Sequence, residues 1–383
     1  MRNWLLPEYI ADILPATARQ LETAKSSMLE LFRTAGYELV LPPMIEYIDS
    51  LVAEGDDSLE MKTFKLDDHL SGRQMGLRAD ITPQVARIDA HLLAERTGVT
   101  RLCYAGSVVH ARPAGLMSSR EPLQVGAELY GFAGIEADLE IIRLALDTLD
   151  LVGVQQPRLD IGNIAIFRGL AAAAGLGAEL TREVFAALRS KDAAGVALLV
   201  QSVAEPYRSA FVALPELYGP RAILDRARSR LPSIPEVDLA LGQLQSIANA
   251  LQDRVEISFD LTELRGTAYH TGLMFAIYAP GWPDELARGG RYDNVGRRFG
   301  RARPATGFSL DLRDLLRILP ERSSASGIRV AARVADAAAA EIASLRKAGE
   351  VVMIDYLGES AAALNCDREL IAGPAGWQVV PFD

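Results

Sequence analysis

The sequence predicts an α+β fold, an antiparallel sheet flanked by helices, and three observations carry that prediction. Between Glu121 and Phe132, Leu123, Val125, Ala127 and Leu129 alternate with Gln124, Gly126, Glu128 and Tyr130, so one strand face is apolar and the other polar. A second alternation, Val255, Ile257, Phe259 and Leu261, precedes an apolar strand around Leu273 to Ala279. One-sided alternation belongs to antiparallel rather than parallel sheets. Third, Leu21, Ala24, Met28, Leu31, Phe32 and Ala35 fall on one stripe of a helix from Thr17 to Gly36.

In that first helix Thr17 and Gln20 fit a capping box, and Gly36 supplies the stop. A strand from Tyr37 to Leu41 follows and breaks at Pro42 and Pro43, which cannot donate to a ladder. Pro83 suits the first position of another helix, with Thr82 as its N-cap. Long strands begin at Arg101. Residues 175–252 are alanine-rich and read as a helical insertion within a domain spanning 1–320. A polar, serine-rich linker at 321–327 leads to a short α/β segment, 328–383, with a strand, helix, strand pattern.

The composition narrows the function classes. With 383 residues, 49% hydrophobic and 23% charged, the chain can build more than one packed domain. No stretch approaches the roughly 20 apolar residues that span a bilayer, and no signal-peptide pattern opens the chain, so a cytoplasmic protein is expected. Cys103 and Cys366 are the two cysteines and match no metal or redox spacing. The net charge of −10 gives no general attraction to nucleic acid.

Several polar residues sit where a ligand could meet them. Gln124 and Glu128 share a strand face about 13 Å apart, with Gly126 between them as an open floor for a small ligand. A solvated sheet face fits the same pattern. Arg265, Gly266, Tyr269 and His270 follow a strand. In the segment from Arg288 to Asp293, two glycines stand between arginines of the kind that recognise carboxylates or phosphates, although a plain turn reads the same way. His110 and His270 have no nucleophile nearby in sequence, and neither a zinc spacing nor a P-loop nor a dinucleotide fingerprint occurs, so no catalytic residue, metal or cofactor is expected.

Taken in order, the stretches Asp12 to Pro15, Gly36 to Pro43 with Glu46, Leu77 to Thr82, Gln124 to Glu128, Arg265 to Tyr269, Gly289 to Asp293 and Pro304 to Phe308 resemble the class II aminoacyl-tRNA synthetase fold, and histidyl-tRNA synthetase in particular. The resemblance covers about 1–320 apart from the insertion. It implies that Asp80, Thr82, Gln124, Glu128, Arg265, Tyr269 and His270 fall on histidine-pocket positions. Asp80 replaces a longer glutamate there, and His270 a tyrosine. Thr82 acting only as an N-cap, and Tyr269 and His270 only as packing, are the plainer readings.

Departures from that family are as informative. The resemblance places His110 and Asp314 where a synthetase holds ATP with arginines. Two unit charges about 4 Å apart, at an effective dielectric of about 20, interact by about 4 kcal/mol, so an exchanged sign turns grip into repulsion. Arg313, one residue away, points elsewhere on its helix. The tail is too short for the anticodon-binding domain of that family, so tRNA is not an expected partner.

A histidine-shaped pocket, altered nucleotide motifs and a reduced tail together resemble the regulatory subunits of ATP phosphoribosyltransferase. This implies a non-catalytic subunit that binds histidine, dimerises, and joins a short catalytic subunit in a hetero-octamer, transmitting histidine feedback. An active histidyl-tRNA synthetase with divergent motifs and a stand-alone histidine-binding paralogue are the alternatives.

Overall fold

In the computed structural model, which describes residues 5–52, 57–113, 115, 118–262, 270–318, 326–374 and 376–382, the opening helix spans Pro15–Thr34. It starts before the predicted capping box: Leu14 holds the N-cap and Pro15 the first helical position, where a missing N–H is harmless. Thr17 therefore lies inside the first turn. Gly36, at φ +86°, does stop the helix. The Gly36 N–H donates to Arg33 O at 3.0 Å and the Tyr37 N–H to Phe32 O at 2.9 Å, the two bonds of a Schellman motif. Leu21, Met28 and Phe32 bury the predicted stripe.

Contacts divide the chain into two compact units, Met1–Pro320 and Glu321–Asp383. The strands described in the first are β1 (Glu38–Leu39), β2 (Ile45–Tyr47), β3 (Phe64–Asp67), β4 (Gln74–Leu77), β5 (Thr100–Ser107), β6 (Leu123–Tyr130), β7 (Arg158–Asn163), β8 (Tyr218–Gly219), β9 (Glu256–Asp260), β10 (Leu273–Tyr278), β11 (Ala287–Arg291) and β12 (Ala305–Asp311). Nine of them form one sheet in the order β1-β5-β6-β12-β11-β10-β7-β9-β8, and β2-β4-β3 form a small second sheet. From β5 across to β7 every pairing is antiparallel, as the alternation predicts. Two pairings depart from that pattern, β1 with β5 and β7 with β9, which are parallel. Helices lie in the chain between the strands of each pair, as a parallel crossover requires.

One face of the sheet is sealed by Pro15–Thr34 and by the helix Ile135–Val152. The insertion is helical as expected, with helices Ala178–Arg189, Ala193–Leu199, Tyr207–Ala213, Ile223–Arg230 and Pro235–Leu251. Its apolar residues Val184, Leu188, Phe211 and Leu244 join the same core as Ile161 and Phe275 of the sheet. Phe167, on the helix Ile164–Ala173, meets the rings of Phe185 and Phe211 at 5.5 and 6.2 Å. The insertion also supplies β8 to the sheet edge.

Two buried ion pairs tie the sheet to its surroundings. Arg303 meets Asp89 at 2.8 Å, and Arg291 meets Asp138 at 2.9 Å while also donating to the carbonyls of Phe132 and Gly134. Arg291, which the sequence offers as a ligand-binding group, is therefore spent on the fold.

The second unit has strands β13 (Gly327–Ala331), β14 (Val352–Asp355), β15 (Cys366–Gly373) and β16 (Gly376–Pro381), in the order β14-β13-β15-β16. The β15-β16 hairpin adds to the strand, helix, strand pattern. Ile328, Val330, Ala338, Ile342, Val352 and Leu370 form its own core. Most of the predicted linker lies outside the described residues, and Gly327 already belongs to β13. Cys103 and Cys366 are both buried free thiols.

Candidate functional site

The sheet face opposite the main core carries a smaller cluster that includes Ile81, Val85, Leu102, Tyr104 and Tyr292, and the polar positions of β6 lie on this face. Register sets Tyr104, Gly126, Ser309 and Arg288 in one row across β5, β6, β12 and β11, and Leu102, Glu128, Gly307 and Gly290 in the next.

This face is not solvated, as one reading of the alternation allows: Glu128 is 1% exposed. The Tyr104 hydroxyl donates to Glu128 Oε1 at 3.2 Å and stands 3.2 Å from the Thr82 hydroxyl. Glu128 Oε2 is buried with no hydrogen-bond partner among the described residues. Burial drives this carboxyl well above the usual carboxylate range, against the lowering effect of Thr82 and Tyr104 and with the help of Asp80's charge. A Cβ at Gly307 would lie 1.8 Å from Oε2 and 2.2 Å from the Tyr292 hydroxyl, so the glycine makes room for both.

Gly126 does not leave an open floor. A Cβ there would stand 2.5 Å from the Tyr104 hydroxyl, so the phenol already lies over it. Gln124 instead clamps the chain that precedes the helix Thr82–Arg87. Its Nε2 donates to Asp80 Oδ1 at 2.8 Å and its Oε1 accepts from the Ile81 N–H at 2.9 Å. Asp80 Oδ1 also accepts the Thr82 N–H at 3.0 Å. The predicted N-cap is thus corrected: Ile81 holds the cap position, Asp80 satisfies the exposed amide, and the Thr82 hydroxyl is left for Tyr104.

Asp80, Thr82, Gln124 and Glu128 come together through Tyr104. His270 is buried beside Gly290, where a Cβ would meet its ring at 2.8 Å, and it packs edge-on against Tyr292 at 5.9 Å. Arg265 and Tyr269 lie outside the described residues. Sequence reasoning missed Tyr104 and Tyr292. The signal for the first was a tyrosine facing Gly126 across the β5-β6 pair, and for the second a tyrosine next to the paired glycines.

At the far end of this face the positions expected to have lost ATP are occupied differently. His110 Nε2 stands 3.0 Å from Ala79 O. A carbonyl can only accept, so Nε2 carries the proton. Burial holds the pKa of this imidazole down, which keeps it neutral, and its Nδ1 is buried with no partner among the described residues. Asp314, in the helix Leu312–Arg317, lies 3.5 Å from Arg317; burial raises its pKa. Arg313 turns to Glu121 at 3.0 Å. Asp311 accepts the N–H groups of Arg313 at 2.9 Å and Leu123 at 3.1 Å, and burial, then Asp314, pushes its pKa up to about 6. Among the described residues no cluster of His, Cys, Asp and Glu could hold a metal, and no helix is long and apolar enough to cross a membrane.

Residues 9–315 match the family described as histidyl-tRNA synthetase, and 325–380 match the ATP phosphoribosyltransferase subunit HisZ C-terminal domain. The ATP phosphoribosyltransferase regulatory subunit of Chromobacterium violaceum is 76% identical over 382 residues, covering 100% of both chains. The protein of that name from Laribacter hongkongensis is 64% identical over 98% of this chain and 97% of its own. The chain belongs to the family of ATP phosphoribosyltransferase regulatory subunits. A crystal structure described as an ATP phosphoribosyltransferase regulatory subunit/histidyl-tRNA synthetase, from Bacillus halodurans, superposes with a TM-score of 0.82 at 25% identity over 94% of each chain. Histidyl-tRNA synthetase from Nostoc sp. PCC 7120 shares the fold, with a TM-score of 0.80 at 16% identity, over 100% of this chain and 97% of that one. In this regulatory-subunit chain the two family matches fall within the two compact units, one in each.

Proposed function

We propose that this chain is the non-catalytic regulatory subunit of ATP phosphoribosyltransferase, acting with a separate catalytic subunit in histidine biosynthesis. Identity to regulatory subunits along the whole chain carries this reading. In it, residues 1–320 form the synthetase-like domain with the 175–252 insertion, 321–327 the linker, and 328–383 a small α/β domain. The protein works in the cytoplasm as a dimer and assembles with a short catalytic subunit into a hetero-octamer.

Histidine is the proposed ligand of the site on β6. Support comes from the hydrogen-bonded group of Asp80, Thr82, Gln124 and Glu128, with His270 close by; Arg265 and Tyr269 complete the proposed pocket. The buried Glu128 Oε2 offers an acceptor to a ligand ammonium, whose positive charge would draw the raised carboxyl pKa back down and make the bond charge-assisted. Feedback then requires that histidine bind one arrangement of the subunits more tightly than another.

The proposal includes no aminoacylation. It rests on a neutral imidazole at residue 110 and a carboxylate at residue 314, where arginines would grip phosphates. Mixing this chain with the purified short catalytic subunit should raise phosphoribosyl transfer, and histidine should suppress the gain; no gain would refute the reading. The synthetase-like match over 9–315 makes histidine-dependent exchange of pyrophosphate into ATP the complementary assay, with none expected.

A further inference from the structure

We propose that His110 is a positioning residue for the amino-acid pocket, holding the Ala79 carbonyl and through it Asp80. The inference rests on the reading of that pocket as a histidine site. By resemblance, residue 110 is a place where an arginine would extend toward phosphate. Here the shorter imidazole reaches back to the chain, with Nε2 at 3.0 Å from Ala79 O.

The segment that carries it is fixed on both sides. The Val109 N–H donates to Arg78 O at 3.0 Å, the His110 N–H to Arg120 O at 2.7 Å, and the Ala111 N–H to Lys62 O at 2.8 Å. The imidazole thus projects from an anchored backbone and, with Val109, forms two consecutive links to Arg78 and Ala79. Immediately after the second link comes Asp80, whose Oδ1 receives both Gln124 and the Thr82 N–H. Ala79 is buried, so its carbonyl is left poorly solvated when the imidazole donor is replaced by an apolar side chain of similar size. The change at residue 110 therefore does more than delete a phosphate ligand, since it converts a nucleotide-side residue into a brace for the amino-acid side.

The test compares H110Q, which keeps an N–H donor, with H110L, which fills the space without one, in the full-length chain. Hydrogen exchange of the 78–85 segment and histidine titration by calorimetry are read together. H110L should speed exchange at the Ile81 and Thr82 amides at least tenfold and weaken histidine binding about tenfold, and H110Q should stay within about threefold of the parent on both. Parent-like exchange in H110L, or faster exchange with unchanged histidine affinity, overturns the proposal. If H110L does not fold, H110N, whose amide is too short to span the gap, takes its place. If the unmodified chain takes up no histidine, the pocket reading falls, while the exchange comparison still decides whether His110 holds the segment.

Discussion

Two groups of residues, one proposed to meet an amino acid and one resembling nucleotide-binding positions, differ in how their polar atoms are partnered. At the proposed amino-acid site, Glu128, Thr82 and Tyr104 are buried in mutual contact, and Glu128 Oε2 has no donor among the described residues. At the positions that resemble a nucleotide site, Arg313 pairs with Glu121 and Asp314 with Arg317, while Arg313 Nε and His110 Nδ1 are buried with no partner among the described residues. An unsatisfied buried acceptor costs stability unless something fills it, whereas internally paired charges need no ligand. The internal pairing of Arg313 and Asp314 is consistent with the proposal that the protein reads an amino acid without activating it.

The sharpest way to break the contrast is at Glu128. E128Q removes the carboxyl group that a ligand ammonium would ionise, and calorimetry should show histidine affinity falling about a hundredfold, the upper part of the range for bonds to a charged group. An unchanged affinity would place histidine elsewhere.

Asp311 probes the nucleotide end through pH. Its folded pKa of about 6 stands above the ordinary 3.8 of an aspartate, so the folded chain holds the proton more tightly and stability contributed by this group is lost as pH rises from about 4 through about 6. D311N removes that loss. Relative to the parent chain it should gain about 2 kcal/mol between pH 4 and pH 8, measured by denaturant unfolding, and a pH-independent difference would contradict the burial argument.

D314R puts a cation at the position that resembles a phosphate-binding arginine, and ATP should then bind about tenfold more tightly by equilibrium dialysis, a change of about 1.4 kcal/mol. Smallest of all, Y104F takes away the hydroxyl joining Glu128 to Thr82. Histidine affinity should drop about fivefold, in line with one hydrogen bond worth about 1 kcal/mol.

Much of the arrangement was legible in the sequence where a local rule acts alone. Gly36 ends its helix because only a residue tolerant of φ +86° closes that motif, and the alternation of β6 reports its two faces correctly. Burial of the polar face was not legible, since periodicity says which residues share a face but not what covers it. The same limit hid Tyr104, which acquires its role only when β5 pairs with β6 and sets it opposite Gly126. Thr82 was misread because the competing acceptor, Asp80, is oriented by Gln124 from a strand 44 positions away in sequence. Arg291 was misread for a similar reason, as its partner Asp138 is 153 positions distant.

Gly307 interlocks with its neighbours in this chain. Its missing side chain is the space taken by the Glu128 carboxyl and the Tyr292 hydroxyl, and a Cβ would also stand 2.8 Å from the Ala127 carbonyl, so a larger residue at 307 needs both side chains and the backbone to give way. The shape of this part of the sheet is thereby held by steric interlock, independently of whatever ligand the proposed site takes.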